Sequence, residues 1–112
     1  MSTSFPIEIS CTEVKSLLDE GADFALIDCR EADEYETCRI AGATLLPMSE
    51  TRERLGELQE HQQKLVVIHC HHGGRSLRVA GFLRQNGFPN ARSMAGGIDE
   101  WSQTIDTSVP RY

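Results

Sequence analysis

Apolar positions along the chain change their spacing repeatedly, and each change marks an element. Ile7 and Ile9 alternate with polar neighbours, the period of a short strand. Ser10 and Glu13 then have the spacing of a capping box, and Val14, Leu17 and Leu18 share one face of a helix running to about Glu20, with Gly21 as its stop. Phe24-Ala25-Leu26-Ile27 is apolar without alternation, as in a strand buried on both faces of a parallel sheet. Glu31 to Thr37 predicts a short acidic helix. Gly42 breaks the chain before a third strand, Ala43-Thr44-Leu45-Leu46, which Pro47 ends. Ser49 to about Leu58 has the charge density of a surface helix. Leu65 to His69 is a further strand, followed by an amphipathic helix over Ser76 to Asn86 with Leu77, Val79, Ala80 and Leu83 available to the core and Gly87 as its stop. Arg92 to Ala95 predicts a last strand, and Gly96-Gly97 leads into a short helix carrying Trp101.

Strands separated by helices imply an α/β fold: a central parallel sheet of about five short strands, helices on both faces and right-handed crossovers. Residues 1–112 read as one domain, with a short flexible amino terminus at 1–4 and a tail at 105–112, and with no repeat, linker or low-complexity tract. In such sheets ligands bind beyond the carboxyl ends of the strands. Cys70 and the segment Asp28-Cys29-Arg30 both fall there, so two separate strand ends point to one crevice.

Composition removes several function classes. With 39% hydrophobic and 25% charged residues the 112-residue chain has enough to bury for a globular core. Its net charge of -6 sets nucleic acid and anionic membrane aside as main partners, because a phosphate surface demands a basic face. No apolar run is long enough for a bilayer, and Met1 to Pro6 lacks the pattern of a signal peptide, so the cytoplasm is the expected compartment. Four cysteines, Cys11, Cys29, Cys38 and Cys70, read as free thiols in a domain whose core needs no bridges.

Cys70 stands out among them. It follows the run Leu65 to His69 and precedes His71-His72-Gly73-Gly74-Arg75-Ser76, where a helix begins. Glycines let consecutive N–H groups turn inward as an anion nest, and the helix amino terminus adds its positive end. Such surroundings bring a cysteine pKa from about 8.5 into the range of roughly 3.5 to 7.5, which makes the thiolate the resting form. Arg75 adds a permanent charge with a fork able to grip an oxyanion. Tyrosine-phosphatase-type signatures place one residue more between cysteine and arginine, giving a loop wide enough for a phosphoryl group. Here only His71, His72, Gly73 and Gly74 intervene, and the smaller loop suits one extra sulfur atom on the cysteine.

Four elements in order carry a family resemblance. Leu26-Ile27-Asp28-Cys29-Arg30-Glu31, Arg39-Ile40-Ala41-Gly42-Ala43, Cys70 to Ser76, and Ala95-Gly96-Gly97-Ile98-Asp99-Glu100-Trp101 resemble the "IDVRE", "HIPGA", catalytic-loop and "GGxxxW" elements of the rhodaneses. Arg39 and Ala41 depart from the pattern, which has histidine and proline there. The resemblance implies a rhodanese-like three-layer domain and a sulfurtransferase. Cys70 would take the sulfane sulfur of thiosulfate or a related donor as a persulfide, His71 to Ser76 would bind the substrate, and a thiophilic acceptor would complete the turnover. That acceptor is cyanide in an assay and a protein thiol or sulfur carrier in the cell, with no cofactor and no metal. The run Ile105 to Tyr112 is similar to the tail of rhodanese domains joined to activating enzymes of ubiquitin-like proteins, which suits a carrier acceptor.

Other readings stand beside these. The same thiolate could serve a phosphatase or an arsenate reductase, or the domain could be a persulfide-carrying module whose partner supplies the chemistry. Asp28 and Arg30 can be a charge pair pinning their loop or can touch substrate; Arg75 can bind a sulfonate or pair with an acidic neighbour. His71 and His72 can shape donor access or be solvated, and as adjacent residues they are expected to diverge rather than share a metal. Cys29 and Cys38 can form a redox or relay pair or be ordinary thiols. His69 reads as packing or making a structural hydrogen bond, and Trp101 as a packing residue.

Overall fold

Five short strands, β1 (Glu8–Ile9), β2 (Ala25–Asp28), β3 (Thr44–Leu45), β4 (Val66–His69) and β5 (Ala91–Met94), form one sheet in the order β1-β5-β4-β2-β3. Every pairing is parallel. The computed structural model describes residues 6–112, so the amino-terminal segment expected to be flexible, 1–4, lies outside the described residues. Helices α1 (Cys11–Glu20), α2 (Ala32–Thr37), α3 (Gly74–Gln85) and α4 (Gly97–Thr104) alternate with the strands. This is the α/β sheet that the apolar pattern predicts, with strand and helix ends shifted by a residue or two.

Alternate strand residues feed two cores. Ile27 and Ile68 join Val79, Ala80 and Leu83 of α3 on one face of the sheet. Leu26 and Val67 join Cys11 and Val14 of α1 and Ile98 and Trp101 of α4 on the other. Period-two alternation in β2 and β4 thus builds both faces at once, which is why these strands are apolar throughout. Trp101 is buried as the anchor of α4, in agreement with its reading as a packing residue.

Local signals set the helix ends. Ser10 Oγ accepts from the Glu13 amide at 3.1 Å while Glu13 Oε1 accepts from the Ser10 amide at 3.3 Å, closing the capping box. Gly21, at φ 68°, ends α1 with its N–H on the carbonyls of Leu17 and Leu18.

The stretch expected as a surface helix from Ser49 to Leu58 is instead two 3₁₀ segments, Met48–Glu50 and Leu55–His61. Only Leu58 among the residues of these two segments is buried. Without an apolar stripe, packing has nothing with which to hold an α-helix together, and Gly56 lowers the local propensity further.

β2 and β4 are neighbours, with Asp28 opposite His69. The two strand ends marked in the sequence therefore open side by side, at the carboxyl edge of the sheet.

Candidate active site

Cys70 leaves β4 at its carboxyl end, and the chain turns through Gly73, at φ 110°, into α3. That turn aims two amides back at the sulfur: Gly73 N–H donates to Sγ at 3.1 Å and Ser76 N–H at 3.3 Å. The Ser76 amide is one of the unpaired donors of the first turn of α3, so it brings the positive end of the helix with it. Ser76 Oγ stands 3.4 Å from Sγ and 2.7 Å from Ser93 Oγ of β5. When the Ser93 hydroxyl donates to Ser76, the single Ser76 proton is left to the Gly73 carbonyl, at 3.3 Å, and the sulfur.

The surroundings of the sulfur favour its anion. The neighbouring Cys29 thiol, then the Ser76 hydroxyl and the Ser76 and Gly73 amides, outweigh burial and bring the Cys70 pKa down to about 4. Cys29, beside the Cys70 anion and buried, is pushed the other way and stays protonated.

The anion nest is narrower than the sequence suggests. The amides reaching the sulfur are those of Gly73 and Ser76, and Gly74 has ordinary helical backbone, so only Gly73 uses glycine's left-handed freedom. Arg75 takes the acidic neighbour among its two readings: Nη1 and Nη2 hold Glu34 Oε1 and Oε2 at 2.7 and 2.9 Å, a two-bond fork that keeps the Glu34 carboxyl low, at about 2.

Asp28 and Arg30 form the charge pair. Arg30 Nε donates to Asp28 Oδ1 at 2.9 Å and Nη2 to Oδ2 at 2.7 Å, both side chains being fully buried. Arg30 also donates to the carbonyls of Cys38 and Glu34 at 2.6 and 3.3 Å, and to Tyr112 Oη at 3.0 Å. A buried ion pair with its remaining donors satisfied is a rigid post, and this one holds the middle and the carboxyl end of α2, which carries Glu34 to Arg75.

The rim is made from three elements. His71 and His72 do not diverge; their ring centroids are 3.9 Å apart, and His71 also stacks on Tyr112 at 4.0 Å with 8° between planes. Tyr112 Oη donates to Glu34 Oε2 at 2.8 Å, so the tail is tied to the Glu34–Arg75 fork. His71, His72 and Asp99 bring ligand-type atoms within 4.8 Å of one another. Asp99 already accepts from Gln103 at 2.9 Å and Arg111 at 3.1 Å.

Underneath, α4 clasps the loop. The amides of Ile98 and Asp99 donate to the carbonyls of Cys70 and His71 at 2.9 and 3.0 Å. Cys70 itself is 1% exposed, covered by this rim and by the loop.

Sequence reading missed Glu34, Ser93, Asp99 and Tyr112, which lie far along the chain from the loop they serve. Cys29 and Cys38 are not brought together, since they belong to cores on opposite faces of the sheet. His69 is buried with both ring nitrogens lacking a hydrogen-bond partner; burial keeps it neutral, a packing residue as expected.

A family model described as a rhodanese-like domain matches residues 10–104. The adenylyltransferase and sulfurtransferase MOCS3-2 of maize is 32% identical over 109 residues, covering 93% of this chain. The chain spans about a quarter of that relative, 23% of its length. Among solved structures, a human single-domain sulfurtransferase, TSTD1, superposes with a TM-score of 0.76 at 28% identity, over 89% of this chain and 98% of its own. A thiosulfate sulfurtransferase of Pseudomonas aeruginosa gives 0.81 at 28% identity, over 93% of this chain and 20% of its own.

Proposed function

The chain belongs to the rhodanese-like domain family, and from that membership we propose that it moves a sulfane sulfur from thiosulfate or a related donor to a thiophilic acceptor through a Cys70 persulfide. The Cys70 thiolate attacks the outer sulfur of thiosulfate. The S–S bond of the donor breaks, sulfite leaves with the electron pair, and the outer sulfur remains on Cys70 as an anionic persulfide.

One observation carries the reading: backbone donors converge on a buried sulfur whose pKa is brought down to about 4. Those amides are fixed by a turn and a helix, so they hold Sγ ready for attack without reorganisation. Arg75, engaged by Glu34, has no free fork for phosphoryl oxygens, which favours sulfur transfer over phosphatase or arsenate chemistry. Asp28 and Arg30 act as structural supports of the site.

The acceptor we propose is a protein thiol or a sulfur carrier. The match to a longer relative named as both adenylyltransferase and sulfurtransferase favours the carrier, and it also keeps the module reading in view, in which a partner enzyme uses the persulfide.

Intact mass after thiosulfate treatment tests the transfer. The protein should become one sulfur heavier, lose that sulfur to cyanide, and fail to load as Cys70→Ser. If thiosulfate, mercaptopyruvate and a cysteine-desulfurase persulfide all leave the mass unchanged, the proposal is wrong.

A further inference from the structure

Cys29 takes no covalent part in the transfer above, yet the sheet delivers its side chain to the nucleophile. Ile27 lies opposite Ile68 and Asp28 opposite His69, and the Cys29 amide donates to the His69 carbonyl at 3.0 Å, extending the pairing past the ladder. Residues two apart on a strand share a face, so Cys29 lies with Ile27 and Cys70 with Ile68, and all four belong to one core. Neighbouring strands run roughly 5 Å apart, within the range of about 4.4–6.8 Å between Cα atoms that a disulfide spans. Cys29 is 0% and Cys70 1% exposed, so both thiols are packed inside that core, away from solvent. Cys11 and Cys38 sit in the opposite core.

We propose that Cys29 and Cys70 are a reactive dithiol: when the sulfur carried on Cys70 finds no acceptor, Cys29 displaces it as hydrosulfide and an internal disulfide closes. The inference rests on the persulfide reading. In the step, the Cys29 sulfur bonds to Cys70 Sγ and the bond from Sγ to the outer sulfur breaks. The outer sulfur leaves with that electron pair and the Cys29 proton, as HS⁻. The sulfane sulfur is reduced and the two cysteines are oxidised, with no outside oxidant. An external dithiol then reduces the disulfide, so the full cycle turns thiosulfate and a dithiol into sulfite, hydrosulfide and an intramolecular disulfide.

Resting protein is protected from this reaction. Cys29 keeps its proton while it faces the Cys70 anion. Loading moves the negative charge outward onto the added sulfur and so weakens the repulsion that keeps Cys29 protonated. The attacking thiolate therefore becomes accessible at the stage when a sulfur is present to be displaced.

The test loads the full chain with thiosulfate, removes the donor, and follows intact mass together with hydrosulfide trapped by a bimane alkylator. The one-sulfur-heavier species should decay to one two hydrogens lighter than resting protein, releasing one hydrosulfide, and non-reducing digestion should yield a Cys29–Cys70 linked peptide. Cys29→Ser and Cys29→Ala, which should load more slowly without the Cys29 thiol beside Cys70 and are therefore given thiosulfate until loading is complete, should then lose that sulfur about tenfold more slowly than wild type. If loaded wild-type protein keeps its sulfur as long as the two variants do, the proposal is overturned. If nothing loads, the sulfurtransferase reading fails by itself, and diamide applied to the resting protein decides the dithiol separately. Diamide should link Cys29 to Cys70; a protein left with all four thiols alkylatable overturns the pairing.

Discussion

Gly97→Ala asks whether α4 holds the catalytic loop in shape. Gly97 opens that helix at φ +61°, and a Cβ built there would come within 2.5 Å of the His71 carbonyl oxygen and 2.6 Å of the Cys70 carbonyl oxygen. These are backbone atoms and cannot swing aside. The left-handed conformation costs a residue with a Cβ about 1–2 kcal/mol, and overpacking of this kind about 1–3 kcal/mol more, so the variant should lose about 2–5 kcal/mol. That is a large part of the stability of roughly 5–15 kcal/mol usual for one domain. The same carbonyls accept from Ile98 and Asp99, so relief of the clash must move the loop away from α4. Urea unfolding followed by Trp101 fluorescence should show the loss, and the pH profile of Cys70 alkylation should shift upward as the Gly73 and Ser76 amides move off the sulfur. Gly74→Ala is the control, because Gly74 has no positive φ and open space around its Cβ position. It should cost nothing or stabilise by up to about 1 kcal/mol. A Gly97→Ala protein within about 1 kcal/mol of wild type, with unchanged Cys70 reactivity, would refute the clasp.

Four further outcomes are expected. With Cys70 titrating at about 4, its alkylation rate should stay level from neutral pH downward and fall only as the pH approaches that value; a rate following an ordinary thiol would contradict the cradle. Native protein binds fewer protons than unfolded protein between about 4 and the ordinary thiol value of 9.0, so this group makes stability rise with pH across that window and fall toward its acid end, a slope that urea midpoints should show weakened in Cys70→Ser. Glu34→Gln, which removes the charge gripped by Arg75, should cost about 1–3 kcal/mol and slow sulfur loading; unchanged midpoint and loading would show that the fork does not shape the loop. The Tyr112 stack on His71 is worth about 0.5–1.5 kcal/mol, so Tyr112→Ala should speed alkylation of buried Cys70 by about twofold to tenfold, whereas Tyr112→Phe, keeping the ring, should change it less. Equal rates in all three proteins would mean that the tail does not restrict access.

What sequence reading reached and what it missed divide along a physical line. The nest at Cys70 is legible because its parts are consecutive: a strand end, a glycine with positive φ and a helix start lie within seven residues, and local backbone preference is enough to join them. The GGxxxW element was legible as a motif, but its purpose was not, since the clasp of Ile98 and Asp99 on the loop exists only after β4 and β5 have paired. Glu34 illustrates the same limit, for an acidic helix offers several carboxylates, and the choice of one for Arg75 depends on the buried Asp28–Arg30 post that sets the position of α2. Cys29 is the sharpest case. Its neighbours in sequence suggested Cys38 as a partner, whereas side-chain alternation and the register of Asp28 against His69 turn it to the opposite face and set it beside Cys70. A slip of one residue in that register would send every side chain of β2 to the other core. The register of one strand pair therefore decides whether Cys70 has a second thiol beside it, and the proposed release of sulfur as hydrosulfide depends on that register.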